Sequence, residues 1–271
     1  MQGILSHPAV QGGLAPFVVA LIVAELLQRL RLSGLAIVAG FAVTVYLVSD
    51  FSIEPLTAVR KMVLLGLLAA PLALVLIRSN WPSLRWILTV LGGVAGAWVV
   101  SNILQQQDLS HALLLGSGCA VYVGWQIFWM DTLRDSPARA GSAGMALGLG
   151  TGGSALLGAS ALLAQLSLSL AAAAGAYLLL QAVANSRLPC GRTFTLPLAT
   201  IVGVSGCLAV LTAQLPWYVL PLLGAIPLLA KIPVSNQMGL RSQSFLLSLL
   251  TMGCAAGAIY MAWSAVGAPP L

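Results

Sequence analysis

Between residues 12 and 266 the chain is a succession of long apolar runs, each broken by a few polar or charged positions. The runs are continuous rather than alternating with period two, so they predict helices and not the strands of a membrane barrel. About 20 apolar residues span the hydrocarbon layer of a bilayer. Ten segments come near that length: residues 12–30, 33–50, 59–78, 84–104, 110–130, 141–164, 166–184, 194–213, 216–232 and 244–266. The briefest interruptions are at Gln165 and at Leu215-Pro216. The prediction is an all-α, polytopic transmembrane bundle of about ten spans, a single integral membrane domain over residues 1–271 in contact with the lipid bilayer. The intervening loops are too short to hold a soluble domain.

Composition sharpens this picture. Of 271 residues, 59% are hydrophobic and 7% charged, and the mean hydropathy is +1.00. A soluble domain carries roughly 25% charged residues. Twelve cations and six acids cannot cover a surface of this size, so most of it faces lipid or apolar protein. The net charge of +6 is spread thinly, with no run longer than Arg60-Lys61. Nucleic-acid binding needs a basic patch and is not expected.

The cations carry topological information instead. Loops after spans 1, 3, 5, 7 and 9 hold Arg29 and Arg31, Arg78 and Arg85, Arg134 and Arg139, Arg187 and Arg192, and Lys231 and Arg241. The opposite side holds Arg60 and Lys61. Cytoplasmic loops are enriched in Lys and Arg, so this split places both termini on the non-cytoplasmic side. Trp217 and Tyr218 then fall in an outer loop as interfacial anchors. No Lys or Arg precedes the first apolar run, which argues for a retained first helix rather than a cleaved signal. A bacterial cytoplasmic (inner) membrane is the expected location.

Small residues recur at helical spacing. Gly144, Gly148 and Gly152 form one row in span 6, and Gly150, Ser154 and Gly158 a second. Gly92 and Gly96, then Gly116, Ala120 and Gly124, then Gly253 and Gly257 repeat the pattern in spans 4, 5 and 10. Such rows let helix backbones approach closely in lipid. Tight packing within the bundle is the first expectation; contact of the Gly-rich segment 141–164 with a membrane-protein partner or a second copy of the chain is the other. Span 9 differs, with Pro216, Pro221, Pro227 and Pro233 across one short segment. Interior prolines remove helical hydrogen bonds, and broken helices line the substrate sites of many transporters. Pro221 and Pro227 are therefore candidate substrate-binding positions.

Candidate chemistry inside the spans is sparse. Glu25 lies one turn before Arg29, and an i,i+4 ion pair at the interface, or a gate, accounts for it. Span 5 carries Tyr122, Trp125, Gln126 and Trp129 toward its cytoplasmic half, with the Gln126 amide well inside the helix. Trp125 and Trp129 fit interfacial anchors, and Tyr122 and Trp125 with the Gln126 amide are the candidate substrate-contacting cluster. Asp131, Arg134, Asp135 and Arg139 read as a solvated cytoplasmic cluster or a docking site. Asp50, Glu54, Arg60 and Lys61 read as a set of loop ion pairs. His7 and His111 lack supporting ligands, and Cys119, Cys190, Cys207 and Cys254 form no C-x-x-C pair, so no metal, disulfide framework or cofactor is expected. No paired carboxylates, catalytic triad or zinc motif is present, and an enzyme is not expected.

Ten spans divide into five and five, which inverts one half relative to the other, a common transporter plan. Gly118-Cys119-Ala120 and Gly253-Cys254-Ala255 are a short echo between the halves. In length and span count the chain resembles members of the drug/metabolite transporter superfamily, which are built from two inverted five-helix halves. That resemblance implies both ends in the cytoplasm, whereas the cations put them outside. The expected function is a permease for a small neutral or amphipathic solute. The alternative is a non-catalytic accessory subunit of a larger membrane complex, favoured by the scarcity of charge within the spans.

Overall fold

The computed structural model describes residues 7–48, 56–77, 79, 81–184, 188–234 and 239–266. Asp50, Glu54, Arg78 and Arg187 lie outside the described residues. Among the described residues there are ten α-helices and no strand: α1 (Ala15–Leu27), α2 (Ala36–Val48), α3 (Ala58–Val75), α4 (Pro82–Leu104), α5 (Leu109–Asp131), α6 (Pro137–Leu157), α7 (Ala161–Ala184), α8 (Gly191–Thr212), α9 (Val219–Leu229) and α10 (Leu240–Val266). Each corresponds to one of the ten expected segments. Seven of them, α1 with its flanking turns, α3, α4, α5, α7, α8 and α10, are long and apolar enough to cross a bilayer. They mark the chain as an integral membrane protein. Of the other three, α2 and α9 are apolar but short, α9 having 11 residues. α6 has the length, 21 residues, but its glycines and serines dilute its hydropathy.

One boundary differs from expectation. The break between the sixth and seventh segments is at residues 158–160, and Gln165 lies within α7. Ala159 adopts a left-handed conformation, φ 67°. The Ser160 amide donates to the Ala155 carbonyl and the Ala159 amide to that of Leu156, which is the pairing of a Schellman cap. A lone glutamine in apolar sequence does not stop a helix, whereas a capped left-handed residue does.

α8 occupies the centre. It is apolar on all sides, with 89% of its most hydrophobic window buried, as expected of a helix enclosed by others. α2, α3, α4, α5, α6 and α7 all pack against it, and α1, α9 and α10 lie farther out. The glycine rows set how closely the helices meet. A Cβ on Gly148 would sit 2.5 Å from the Ala171 amide nitrogen and 2.8 Å from the Ser167 carbonyl oxygen of α7. Gly150 and Gly153 meet Ala255 and Ile259 of α10, and Gly93 and Gly124 meet the backbones of α5 and α4 at Ala120 and Thr89. The rows of α6 are therefore consumed inside the chain. Within the chain these rows face α7, α8 and α10, and most of α6 is buried.

Helix pairing in the two halves is not equivalent. α6 packs extensively on α10, while α1 has no comparable contact with α5, and α1 instead lies along α7. The contacts thus give the inverted-halves expectation no support.

Consecutive helices alternate in direction, and hydrogen bonds tie the loops at each end. At one end the Ser33 hydroxyl donates to the Pro189 carbonyl (2.6 Å), and the Gly191 amide donates to that of Arg134 (3.0 Å). Arg192 reaches the Ser79 carbonyl (2.6 Å), Arg139 the Ala230 carbonyl (2.8 Å) and Arg241 the Ala182 carbonyl (2.8 Å). All five odd-numbered loops meet there. At the other end Gln11 donates to the Leu47 carbonyl (3.1 Å), and the Gln214 amide to that of Gly158 (3.2 Å). Among the described cations, Arg29, Arg31, Arg85, Arg134, Arg139, Arg192, Lys231 and Arg241 share the first end, and Arg60 and Lys61 the second.

Candidate functional site

α5 and α9 enclose a groove of about 410 Å³ that opens to the side of the bundle. Gly118, Val121, Tyr122 and Trp125 line it from α5, at the i, i+3, i+4, i+7 spacing of one helix face. Leu220, Pro221, Gly224, Ala225 and Leu228 line it from α9, and Trp217 stands at one end. No charged side chain enters the lining. Gly118 is open, since a Cβ there would meet nothing within 4 Å.

Three of the expected substrate-contacting residues thus share one groove, and two stand behind it. The Trp125 indole N–H donates to the Gly224 carbonyl at 3.0 Å, which fixes the ring against α9. Gln126 is fully buried and donates from Nε2 to the Tyr122 hydroxyl at 3.0 Å, leaving its Oε1 without a partner. Exchanging the two amide atoms would leave the nitrogen unpaired instead, so one buried polar atom stays unsatisfied next to the groove. Pro227 is buried and outside the lining. Lacking an amide hydrogen, it withholds the helical bond that the Leu223 carbonyl would accept. Pro221 sits in the first turn of α9, where amides have no helical partner, so it costs no bond. Pro216 and Pro233 flank α9 rather than kink it.

At the cation-rich end the groove runs into a cluster of aromatic rings. Trp129 lies 5.6 Å from Trp125 between centroids and 5.4 Å from Phe128. The Lys231 ammonium sits over the Trp129 ring at 4.8 Å. The Arg85 guanidinium sits over Phe128 at 5.5 Å. Cations against aromatic faces gain from the ring quadrupole, and here they mark where the apolar lining gives way to charge.

Behind these rings is the strongest polar feature of the protein. Asp131 is buried, with Arg192 Nε on its Oδ1 at 3.0 Å. Arg85 Nε lies 3.1 Å from its Oδ2, and Arg134 Nη1 3.6 Å from the same oxygen. Arg192 is itself buried and also donates to the carbonyls of Leu76 (3.3 Å) and Ser79 (2.6 Å). The expected solvated cluster is therefore half right: Asp135 is exposed, but Asp131 is a buried counter-ion joining α4, α5 and α8 to the end of α3. The sequence signal for this pair is Arg192 itself, a cation directly after Gly191 at the head of a long apolar run; its position reports sidedness but not its buried partner.

The remaining candidates do not join the site. Glu25 is exposed and accepts a hydrogen bond from Gln28 Nε2 at 2.6 Å; among the described residues it forms no ion pair with Arg29 or any other cation. A glutamine one turn away competes for the carboxylate, and Gln28 begins the tight turn that redirects Arg29. Lys61 is buried and donates to Asn102 Oδ1 (2.9 Å), Ser101 Oγ (3.0 Å) and the Trp98 carbonyl (3.3 Å), so the end of α4 holds it. His7 and His111 are exposed, and no cluster able to hold a metal occurs among the described residues. Cys119, Cys190 and Cys207 are buried free thiols, with Cys254 partly so.

No known protein family matches the chain, and no curated protein or solved structure does either.

Proposed function

We propose that the protein is a permease for an amphipathic, lipid-like solute that enters sideways from the bilayer through the groove between α5 and α9. The single observation carrying this reading is that groove, which brings Tyr122, Trp125 and Pro221 together on an apolar lining open to the side of the bundle. Binding sites between helices of a bundle are commonly apolar with few polar groups, and Gln126 with its unpaired amide atom supplies one behind the wall. In this reading all ten helices are membrane segments, α2 and α9 being short. The cation-rich end is cytoplasmic by the positive-inside rule, both termini are non-cytoplasmic, and the bacterial inner membrane is the setting.

The test is transfer between leaflets. Full-length protein in liposomes is expected to move a fluorescent amphipath across the bilayer faster than empty liposomes, and Gly118→Leu, which fills the groove from an open position, is expected to abolish the gain. Transfer that is absent in wild type, or unaffected by Gly118→Leu, overturns the permease reading. The second reading is an accessory subunit. It is favoured by α10, where Gly253 is exposed with nothing within 4 Å while Phe245, Leu249 and Tyr260 are also exposed. A stoichiometric partner retained in mild detergent, together with no transfer, would establish it instead.

A further inference from the structure

We infer that the two grooves flanking Trp125 together bind one anionic diacyl phospholipid, with an acyl chain in each groove and the phosphate at Lys231. This rests on the proposal of an amphipath site between α5 and α9 and names its ligand. The second groove, about 460 Å³, runs between α4 and α5, with Trp86, Val90, Val94 and Trp129 among its walls and the close-packed backbones at Gly93 and Gly124 as its floor. The two grooves share only Val121 and Trp125. The Trp125 ring, held by its bond to Gly224, is therefore a ridge with one apolar channel on either side. Two channels one ridge apart suit two chains that leave a common glycerol. A single-chain amphipath would use one and leave the other empty.

Charge fixes which end takes the headgroup. Lys231 is exposed, lies three residues beyond Leu228 of the lining, and rests its ammonium on Trp129. No carboxylate lies within ion-pair distance of it among the described residues. Arg85 caps the α4–α5 groove beside Phe128, with a third of its side chain exposed and its Nε committed to Asp131. An unneutralised cation at the joint mouth of two apolar channels, in a ring of interfacial aromatics, is complementary to a lipid phosphate. A docked transmembrane helix of another protein would leave that charge unpaired.

The experiment is lipid titration of the full chain in detergent, read by native mass spectrometry. Phosphatidylglycerol, phosphatidylcholine with the same chains, lysophosphatidylglycerol and inorganic phosphate are the probes. One phosphatidylglycerol is expected to bind, about fivefold tighter than phosphatidylcholine, the factor for one lysine near an anionic headgroup. Lys231→Gln is expected to erase that preference, and Arg29→Gln, an exposed cation at the same end, to keep it. Gly118→Leu is expected to reduce diacyl binding to that of the lyso lipid. Equal binding of the two diacyl lipids to wild type, a preference that survives Lys231→Gln, or an equal loss in Arg29→Gln overturns the inference, as does displacement by inorganic phosphate. Phosphatidylglycerol binding as expected without any transfer between leaflets keeps this inference and sinks the permease. Transfer without an anionic preference does the reverse.

Discussion

Arg192 at the head of α8 places its Nε 3.0 Å from Oδ1 of Asp131 at the foot of α5, and both side chains are almost fully buried. The pair joins the central helix to the helix that carries the candidate groove. Removing one partner of a buried ion pair leaves an uncompensated charge, which costs about 3–5 kcal/mol. Asp131→Asn strands three arginines and is expected to lower the melting temperature in detergent sharply. Arg134→Gln removes the longest of the three contacts, at 3.6 Å, and leaves Arg85 and Arg192 on the carboxylate, so it is expected to lower the melting temperature much less. Equal melting temperatures for the two variants would show that the buried carboxylate is not the organising charge.

Glycine substitutions separate packing from exposure. Gly148→Ala drives a methyl group into the backbone of α7 and is expected to destabilise the bundle. Gly253→Ala meets nothing and gains about 1 kcal/mol of helix propensity. Thermal unfolding monitored by circular dichroism compares them, and a neutral Gly148→Ala would contradict the close approach of α6 and α7.

Ala159 gives a prediction of opposite sign. It carries a left-handed backbone, φ 67°, which costs a residue with a Cβ roughly 1–2 kcal/mol. Ala159→Gly is expected to stabilise the protein by about 1 kcal/mol, seen as a raised melting temperature. A decrease would mean that the methyl group earns more in packing than the backbone loses.

Cys190 lies just before α8 and is buried. Burial, with Asp135 adding a smaller repulsion, holds its thiol well above the usual value. The thiolate is the reactive form. At neutral pH less of it forms than at a free cysteine, and the labelling rate should rise only at correspondingly higher pH. Maleimide labelling of a variant retaining Cys190 alone, against one with a single cysteine at exposed position 106, checks this. Comparable rates at pH 7 would refute it.

Much of the fold was legible because lipid imposes a simple rule: each membrane helix must satisfy its own backbone and present apolar side chains. Ten apolar runs therefore foretold the ten helices found among the described residues, seven of them long enough to span, and paired cations in alternate loops foretold that those loops share one end. The exceptions have local causes. Gln165 looked like a break because it is polar, yet the chain turns at Ala159, whose backbone geometry no hydropathy pattern encodes. Glu25 and Arg29 had ion-pair spacing, but the helix tightens at Gln28 before Arg29 can reach back. Tyr122, Trp125 and Pro221 could be nominated singly, since aromatics and prolines stand out. Their meeting across one groove depends on α5 and α9 becoming neighbours, which is tertiary information. Asp131 and Arg192 lie 61 residues apart, and the separation hid the pair.

The dilute composition of α6 bears on how the protein is made. Its partners α7, α8 and α10 all follow it in the chain, so none is present when α6 first leaves the ribosome. Glycine and serine give it little intrinsic drive to leave the translocon for lipid, and in the proposed ten-span topology the two arginines near its start, Arg134 and Arg139, favour keeping that end in the cytoplasm. α6 should therefore wait at the translocon until α7 emerges, and the two should enter the bilayer as a hairpin. A chain truncated just after Leu157 is expected to leave this segment uninserted, whereas one ending after Ala184 should integrate it, a difference that glycosylation-site mapping in microsomes would register.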